Sequence, residues 1–228
     1  MINVYAVVEG HTERAVIQQV IAPYLASRGI LLSPRIVGKP GKKGGDCRFE
    51  RVLPEICNLI TQEKNVFVTT FFDYYALPND WPNWNEAHQK ESYLQKADTI
   101  EKGVGNAVNI KFKNLNPKRF IPYIQMHELE ALLFADAKIM GHVLETDWEL
   151  FQEIINEFGG QCEKINDSSE TAPSKRIMKL VNGYKKGSSV NAHGWRILQQ
   201  IGVEKICNQC PHFKDWIDKL EQPAKSNS

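Results

Sequence analysis

The first 73 residues alternate short apolar runs with helical patterns, and this alternation constrains the fold more than any other feature of the sequence. Three runs, Ile2 to Val8, Ile30 to Val37 and Val66 to Phe72, are short and rich in β-branched or aromatic residues, as buried strands are. Between them, Thr12 to about Arg28 and Arg48 to Glu63 carry apolar residues at helical spacing. Strands that are apolar on both faces are typical of parallel sheets covered by helices. The pattern therefore predicts an α/β fold with a mostly parallel, Rossmann-like sheet.

The second part of the chain changes character. Arg119 to Met126 predicts a fourth strand, followed by a helix through Phe134, and the remainder to about Leu220 shows only helical patterns. We predict an α/β domain over residues 1–136 and a helical C-terminal extension over residues 137–228 that packs on the same core. An insertion at about residues 74–105 contains an aromatic segment and then a polar helix from Glu86 to Glu101.

Several local features of the first part are also predicted. Thr12 is the expected N-cap of the first helix, and Pro23 is expected to kink its C-terminal half. Ser33-Pro34 interrupts the second strand and places it near a sheet edge. Residues 38–46, GKPGKKGGD, predict a flexible basic loop without a regular element.

Composition narrows the class of protein. The chain has 228 residues and a net charge of +1, which excludes a uniformly basic nucleic-acid coat. No apolar run approaches the roughly 20 residues of a membrane span, and the N-terminus lacks a secretion signal, so we expect a cytoplasmic protein without membrane contact. Cys207-Asn-Gln-Cys210-Pro-His212 resembles half of a zinc site. A structural zinc needs four ligands, so two half-buried thiols near a helix end are the preferred interpretation.

Carboxylates follow three of the four predicted strands. Glu9 follows the first, Asp73 the third, and Glu128 and Glu130 the fourth. Ligands bind outside the carboxyl ends of the strands in open α/β sheets, so these acids are expected to converge there. Closely packed carboxylates repel unless a cation lies among them, and Mg²⁺ or Mn²⁺ is the cation that prefers oxygen ligands and phosphate substrates. Gly10 would then let the chain turn sharply after Glu9.

Each acid also has a purely structural interpretation. Glu9 and Glu13 could be acids favoured by the dipole at the start of a helix. Asp73 could cap a turn, and the acids after the fourth strand could lie in the first turn of a solvated helix. His127 alone is more often a structural residue than a ligand. The sequence leaves these alternatives open.

Four ordered motifs resemble a known family. They are VVEGHTE with the basic glycine-rich loop after it, VTTFFDYY, QMHELEALLFAD, and TAPSKRI from Thr171 to Ile177. The set resembles a Toprim-like family of bacterial proteins that is similar to the Toprim domain of the overcoming-lysogenization-defect (OLD) nucleases. This resemblance implies a Toprim-like fold and a role in bacterial anti-phage defence, often beside a partner ATPase encoded nearby.

The resemblance also implies roles for individual residues. Glu9 and Glu13 correspond to the first acidic motif, and Asp73 to the first Asp of an Asp-x-Asp motif that binds Mg²⁺ for phosphodiester chemistry. Tyr75 stands at the second Asp. A phenol is a poor Mg²⁺ ligand, so we expect Glu128 or Glu130 to complete the site, or else weak metal binding.

Two basic segments could contact phosphates. The first consists of Lys39, Lys42, Lys43 and Arg48. Lys175 and Arg176 follow Pro173, which suits the first turn of a helix and so the anion-binding end of that helix. The alternatives are a solvated lysine-rich loop and an ordinary amphipathic helix. The aromatic segment could stack bases of a single strand, pack its own side chains as a lid, or receive a partner protein.

Two hypotheses follow. The first is a Mg²⁺-dependent Toprim-type nuclease, a phosphodiester hydrolase acting on DNA or RNA. In it, Glu9, Asp73 and one of the Glu128/Glu130 pair hold metal. Glu13 orients a metal-bound water or holds a second ion, and Lys175 neutralises the scissile phosphate. The second is a binding or regulatory subunit without catalysis that docks a partner ATPase. Whether the chain forms a homo-oligomer stays open.

Overall fold

The computed structural model describes residues 1–39, 42–43, 46–62, 65–112, 119–166, 168, 170–185 and 193–225. The strands are β1 (Ile2–Val8), β2 (Ile30–Ile36), β3 (Gly38–Lys39), β4 (Lys42–Lys43), β5 (Val66–Asp73), β6 (Phe120–Ile121) and β7 (Ile124–Gln125). The α-helices are α1 (His11–Val16), α2 (Ala22–Ala26), α3 (Phe49–Gln62), α4 (Trp84–His88), α5 (Tyr93–Lys111), α6 (Ala137–Val143), α7 (Trp148–Glu157), α8 (Pro173–Leu180), α9 (Trp195–Ile201), α10 (Val203–Gln209) and α11 (Pro211–Lys225).

Five strands form a parallel sheet in the order β2-β1-β5-β6, and β7 also pairs with β5. The chain leaves β1 toward β2 on one side and returns to β5 on the other, so strand order reverses between β1 and β5. The predicted mostly parallel α/β sheet, flanked by helices and followed by a helical C-terminal part, is confirmed. β2 lies at an edge, as its Ser33-Pro34 pair predicted, because an edge strand needs no donor on its outer side.

The sheet is buried on both faces. One face contacts a first hydrophobic cluster that includes Val8, Phe71 and Trp216 together with helices from both ends of the chain. The other face contacts a second cluster, formed with α3, α5 and the aromatic segment and including Val7 and Phe72. Adjacent residues such as Val7 and Val8 belong to different clusters because side chains alternate along a strand. The division of the chain at residues 136 and 137 stays a prediction.

The predicted fourth strand is split in two. β6 and β7 both run parallel to β5, but Pro122 separates them and has no N–H for the ladder. Two threonines of β5 replace the missing ladder bonds. Thr69 Oγ1 donates to Ile121 O at 2.6 Å, while Thr70 Oγ1 donates to Tyr123 O at 2.8 Å and accepts from Tyr123 N at 2.9 Å. The polar residues of an otherwise apolar strand therefore have a structural function.

The first helix is not continuous, and Thr12 is not its N-cap. Gly10 is the N-cap, and a π-helical segment, Ile17–Ile21, separates α1 from α2. Pro23 lies in the first turn of α2. It removes a backbone donor and crowds the preceding turn, so the irregularity arises where the kink was predicted.

Three other local expectations are wrong in detail. The predicted helix from Glu86 to Glu101 is two helices, α4 and α5. The segment Leu129–Ala135 is a fully buried 3₁₀ helix rather than an α-helix. The basic loop is not without regular structure, since β3 and β4 form a short antiparallel ladder. Gly38 begins that ladder at φ 120°, which only glycine adopts readily.

Candidate functional site

Glu9 and Asp73 lie at the same edge of the sheet, on the two strands that flank the reversal of strand order. Val8 pairs with Phe71, so Glu9 and Asp73 follow this pair by one and two residues. Parallel strands are about 4.8 Å apart and rise about 3.3 Å per residue, which places the two Cα atoms roughly 6 Å apart. Open α/β sheets bind ligands at this position.

The two acids influence different faces of the sheet. Burial and, to a smaller extent, the charge of Glu9 raise the pKa of the Cys47 thiol to about 12. Burial also raises the pKa of Tyr123, with Asp73 among the smaller contributors. Cys47 belongs to the second cluster and Tyr123 to the first.

Glu13 has a structural role at the start of α1. Its Oε2 accepts a hydrogen bond from Gly10 N at 2.9 Å, which satisfies a donor that the helix cannot pair. A Cβ on Gly10 would lie 3.3 Å from that oxygen. The φ of Gly10 is −149°, so the glycine permits this close approach and not a left-handed turn. The chain bends at Glu9 and Gly10, as predicted, and does so without a left-handed φ.

Asp73 holds the segment after β7 against the end of β5. Its Oδ1 accepts from Leu129 N at 2.9 Å, and Tyr75 N donates to His127 O at 2.9 Å. His127 is buried with φ 60°, in the left-handed region. The side chain of Tyr75, two residues after Asp73, is 43% exposed.

Glu128 and Glu130 are both buried, at 0% and 3% exposure. Glu128 Oε2 accepts from Ser174 N at 2.9 Å, at the first turn of α8. Burial raises the pKa of Tyr184, and the charges of Glu130 and then Glu128 add to this shift. One buried polar group thus contains the two acids together with Ser174 and Tyr184.

The predicted basic residues differ in whether their side chains pair with a carboxylate. Arg48 donates to both carboxylate oxygens of Asp46 at 2.9 Å and pairs with Glu50, and this arrangement lowers the pKa of Asp46 to about 2. Arg176 pairs with Glu157 at 2.7 Å. Lys175 is exposed on the first turn of α8. Lys39, Lys42 and Lys43 belong to the short ladder, whose connecting residues lie outside the described ranges.

The aromatic segment packs mainly on the protein itself. Trp81 is 2% exposed, contacts the rings of Phe49 and Phe72, and donates from Nε1 to Cys47 O at 2.7 Å. Tyr74 is also buried. These side chains complete the second cluster, so the self-packing interpretation describes them better than base stacking.

Mg²⁺ is the ion that the sequence predicts at this site. This ion is often held by one or two carboxylates together with waters and substrate phosphates. Glu9 and Asp73 provide two carboxylates at a shared edge. Within the described ranges, no group of three or more His, Cys, Asp or Glu side chains is placed to hold a metal ion. Whether Glu9 and Asp73 hold an ion together, and whether Glu128 or Glu130 completes the site, stay predictions.

A buried network near the C-terminus was not predicted from the sequence. His212 Nε2 lies 2.9 Å from Glu101 Oε1, which also accepts from Ile124 N at 3.0 Å. Glu163 accepts from the backbone N–H groups of His212 and Phe213. In this part of the sequence, only Pro211 indicated a structural feature, because proline is typical of the first residue of a helix. The ring of His212 thus faces a carboxylate. Cys207 and Cys210 are free thiols that are buried rather than half-buried as expected.

Among the residues that the structure describes, none of the helices combines the length and apolar character of a membrane span.

The chain has no match among the curated proteins. Among solved structures, the chain is similar to the C-terminal region of the OLD protein of Xanthomonas campestris pv. campestris. The two share 16% identity over 98% of this chain and 94% of that one, with a TM-score of 0.43. The family model described as "Domain of unknown function (DUF4276)" matches residues 8–221. Since this match spans most of the sequence, the protein belongs to the DUF4276 family.

Proposed function

We propose that the protein is a Mg²⁺- or Mn²⁺-dependent nuclease that hydrolyses phosphodiester bonds. One observation supports this most directly. Glu9 and Asp73 end the two strands between which strand order reverses, and this is where open α/β sheets bind phosphate-bearing ligands.

In this proposal, Glu9 and Asp73 hold the ion. When bound, it would polarise a phosphoryl oxygen and lower the pKa of a coordinated water. Asp73 is fixed for this role by its bond to Leu129 N, which limits the movement of its carboxylate. Lys175, exposed at the start of α8, neutralises charge on the scissile phosphate. Glu13 keeps its bond to Gly10 N and orients Glu9 through the first turn of α1.

Nucleic acid is the proposed substrate class. The ladder carrying Lys39, Lys42 and Lys43 follows β2, beside the strand that ends at Glu9. Lysines contribute sequence-independent affinity for a phosphate backbone. Arg48 and Arg176 contribute less, because each is already paired with a carboxylate.

The test combines metal binding with cleavage. Mn²⁺ titration calorimetry and cleavage of labelled DNA and RNA are measured for the wild type, Glu9→Gln and Asp73→Asn. Glu153→Gln, on the exposed face of α7, is the matched control. Loss of an outer-shell partner costs about 10–100-fold, so loss of either ligand should lower cleavage by more than about 100-fold. Wild-type protein that binds no metal at millimolar concentration would overturn the proposal.

A second test concerns the substrate. Replacing Lys42 and Lys43 with Ala should weaken binding to all sequences similarly. The slope of log K against log salt should become shallower by about 0.7 to 0.9 for each lost phosphate contact. An unchanged slope would show that the ladder does not contact phosphates.

A non-catalytic binding subunit is the second candidate. Tyr75 replaces an expected ligand, and Glu13, Asp73 and Glu128 each accept a backbone N–H as structural carboxylates do. The resemblance to OLD-like proteins suggests an ATPase encoded nearby as the partner, in anti-phage defence. Tight binding to such an ATPase, with no cleavage in its presence, would support this candidate.

A further inference from the structure

The buried carboxylate of Glu128 caps a helix that begins 45 residues later in the sequence. α8 starts at Pro173, which has no N–H, and its N-cap residue Ala172 has no side-chain oxygen. Ser174 carries the first backbone donor of the helix, and this donor bonds Glu128 Oε2 at 2.9 Å. A carboxylate here satisfies an N–H that the helix cannot pair and complements the positive end of its dipole.

Glu128 is also tied to the strand ends. The next residue, Leu129, donates its N–H to Asp73 Oδ1 at 2.9 Å. Two hydrogen bonds, through one pair of neighbouring residues, therefore connect the carboxylate at the end of β5 to the first turn of α8. Lys175, the residue after Ser174, is exposed on that turn.

We infer that Glu128 is a positioning residue that docks the N-terminus of α8 at the strand ends, so that Lys175 is held beside the proposed metal site, and that Glu128 does not ligate the ion. This inference rests on the proposed function. It replaces the metal role that the sequence predicted for Glu128, and it leaves Glu130 as the candidate third ligand.

The surroundings of Glu128 suit a neutral replacement. Ser174 Oγ and Tyr184 OH are buried and have no hydrogen-bond partner among the described residues. Burial, and then the charges of Glu130 and Glu128, raise the pKa of Tyr184. A glutamine at position 128 could accept from Ser174 N and offer its amide group to one of these hydroxyls. The capping function therefore survives loss of the charge, whereas metal ligation would not.

The experiment uses Glu128→Gln, Glu128→Met, Lys175→Met and the Glu128→Met/Lys175→Met double variant. Methionine keeps the length of the side chain and removes the acceptor. We expect Glu128→Met to lower kcat as much as Lys175→Met does, and the double variant to be no slower than either. Glu128→Gln should stay within about 10-fold of the wild type, and Mn²⁺ affinity should change less than about 2-fold in all four.

Two outcomes would overturn the inference. One is loss of Mn²⁺ affinity in Glu128→Gln, which would make Glu128 a ligand. The other is a multiplicative loss of kcat in the double variant, which would make Glu128 and Lys175 independent. If Glu128→Met does not fold, the Mn²⁺ affinity and kcat of Glu128→Gln still decide between ligand and positioning residue.

Failure of the proposed function would look different. A wild type without cleavage or metal binding removes the nuclease proposal. Docking is then judged from hydrogen exchange of the first α8 turn and from metal-free affinity for a labelled oligonucleotide. Glu128→Met should increase the hydrogen exchange of the first α8 turn. It should also lower the affinity for the oligonucleotide as much as Lys175→Met does. Glu128→Gln should change neither the exchange nor the affinity strongly. Unchanged exchange in Glu128→Met would contradict docking whether or not the protein cleaves.

Discussion

Glu163 holds the N-terminus of the last long helix, and its replacement tests the buried polar network. Its carboxylate is fully buried, and its two oxygens accept from His212 N at 2.9 Å and Phe213 N at 3.0 Å. Both donors belong to the first turn of α11, which places Phe213 and Trp216 in the first cluster. We predict that Glu163→Ala strongly destabilises the fold.

The magnitude follows from the two bonds. A buried donor left without its acceptor costs about 1–3 kcal/mol, so two donors cost about 2–6 kcal/mol. Removing the carboxylate also relieves a burial penalty, because burial is the main reason that the pKa of Glu163 is raised. The net loss should be about 3 kcal/mol, a large part of the roughly 5–15 kcal/mol that stabilises a typical domain.

The assay is urea unfolding followed by circular dichroism and tryptophan fluorescence. The matched control is Asp147→Ala, because Asp147 also caps a helix through one bond to Glu149 N but is exposed. The control should lose only about 1 kcal/mol. Glu163→Gln, which keeps one acceptor, should fall between the wild type and Glu163→Ala. A Glu163→Ala variant no less stable than the control would refute the reasoning.

Two glycines of α5 should respond oppositely to alanine. Nothing lies within 4 Å of a Cβ at Gly105, so Gly105→Ala should raise the free energy of unfolding by about 0.5–1 kcal/mol. A Cβ at Gly103 would lie 2.8 Å from Pro82 Cβ, so Gly103→Ala should lower it by about 1–3 kcal/mol in the same urea assay. Equal effects at both positions would contradict the packing. A third prediction concerns pH. Burial alone would lower the pKa of His212, but its hydrogen bond and charge interaction with Glu101 raise it overall. Stability from a raised histidine pKa is complete below the unfolded value of about 6.5 and is lost as pH rises through the folded value. The free energy of unfolding of the wild type should be lower at about pH 8.5 than at about pH 6, and His212→Gln should show a smaller decrease. An equal decrease in both proteins would refute the prediction.

The elements that the sequence predicted well are those with local causes. β1, β2 and β5 were predicted within one residue of their observed bounds, because each is a short apolar run bounded by polar or turn residues. The position of Glu9 and Asp73 at neighbouring strand ends also followed from a general rule, since parallel strands place their carboxyl ends at one edge.

The errors have physical causes as well. The fourth strand was predicted as continuous because apolar residues outweighed Pro122 in the pattern. The first helix was expected to kink at Pro23, but the pattern did not predict the π-helical segment Ile17–Ile21 before that proline. In both places a single proline decided backbone hydrogen bonding that a hydrophobic pattern does not record.

By itself, the sequence determined the order of strands and helices, the burial of the sheet and the chemical character of its carboxyl edge. These properties depend on side chains within a few residues of one another. Only the tertiary structure decided which carboxylates cap helices and which flank the reversal of strand order. Glu128 meets Ser174 across 46 residues, and Glu163 meets His212 across 49. Such pairs form because a buried carboxylate must find a donor wherever the packed chain supplies one, and no local pattern specifies that position.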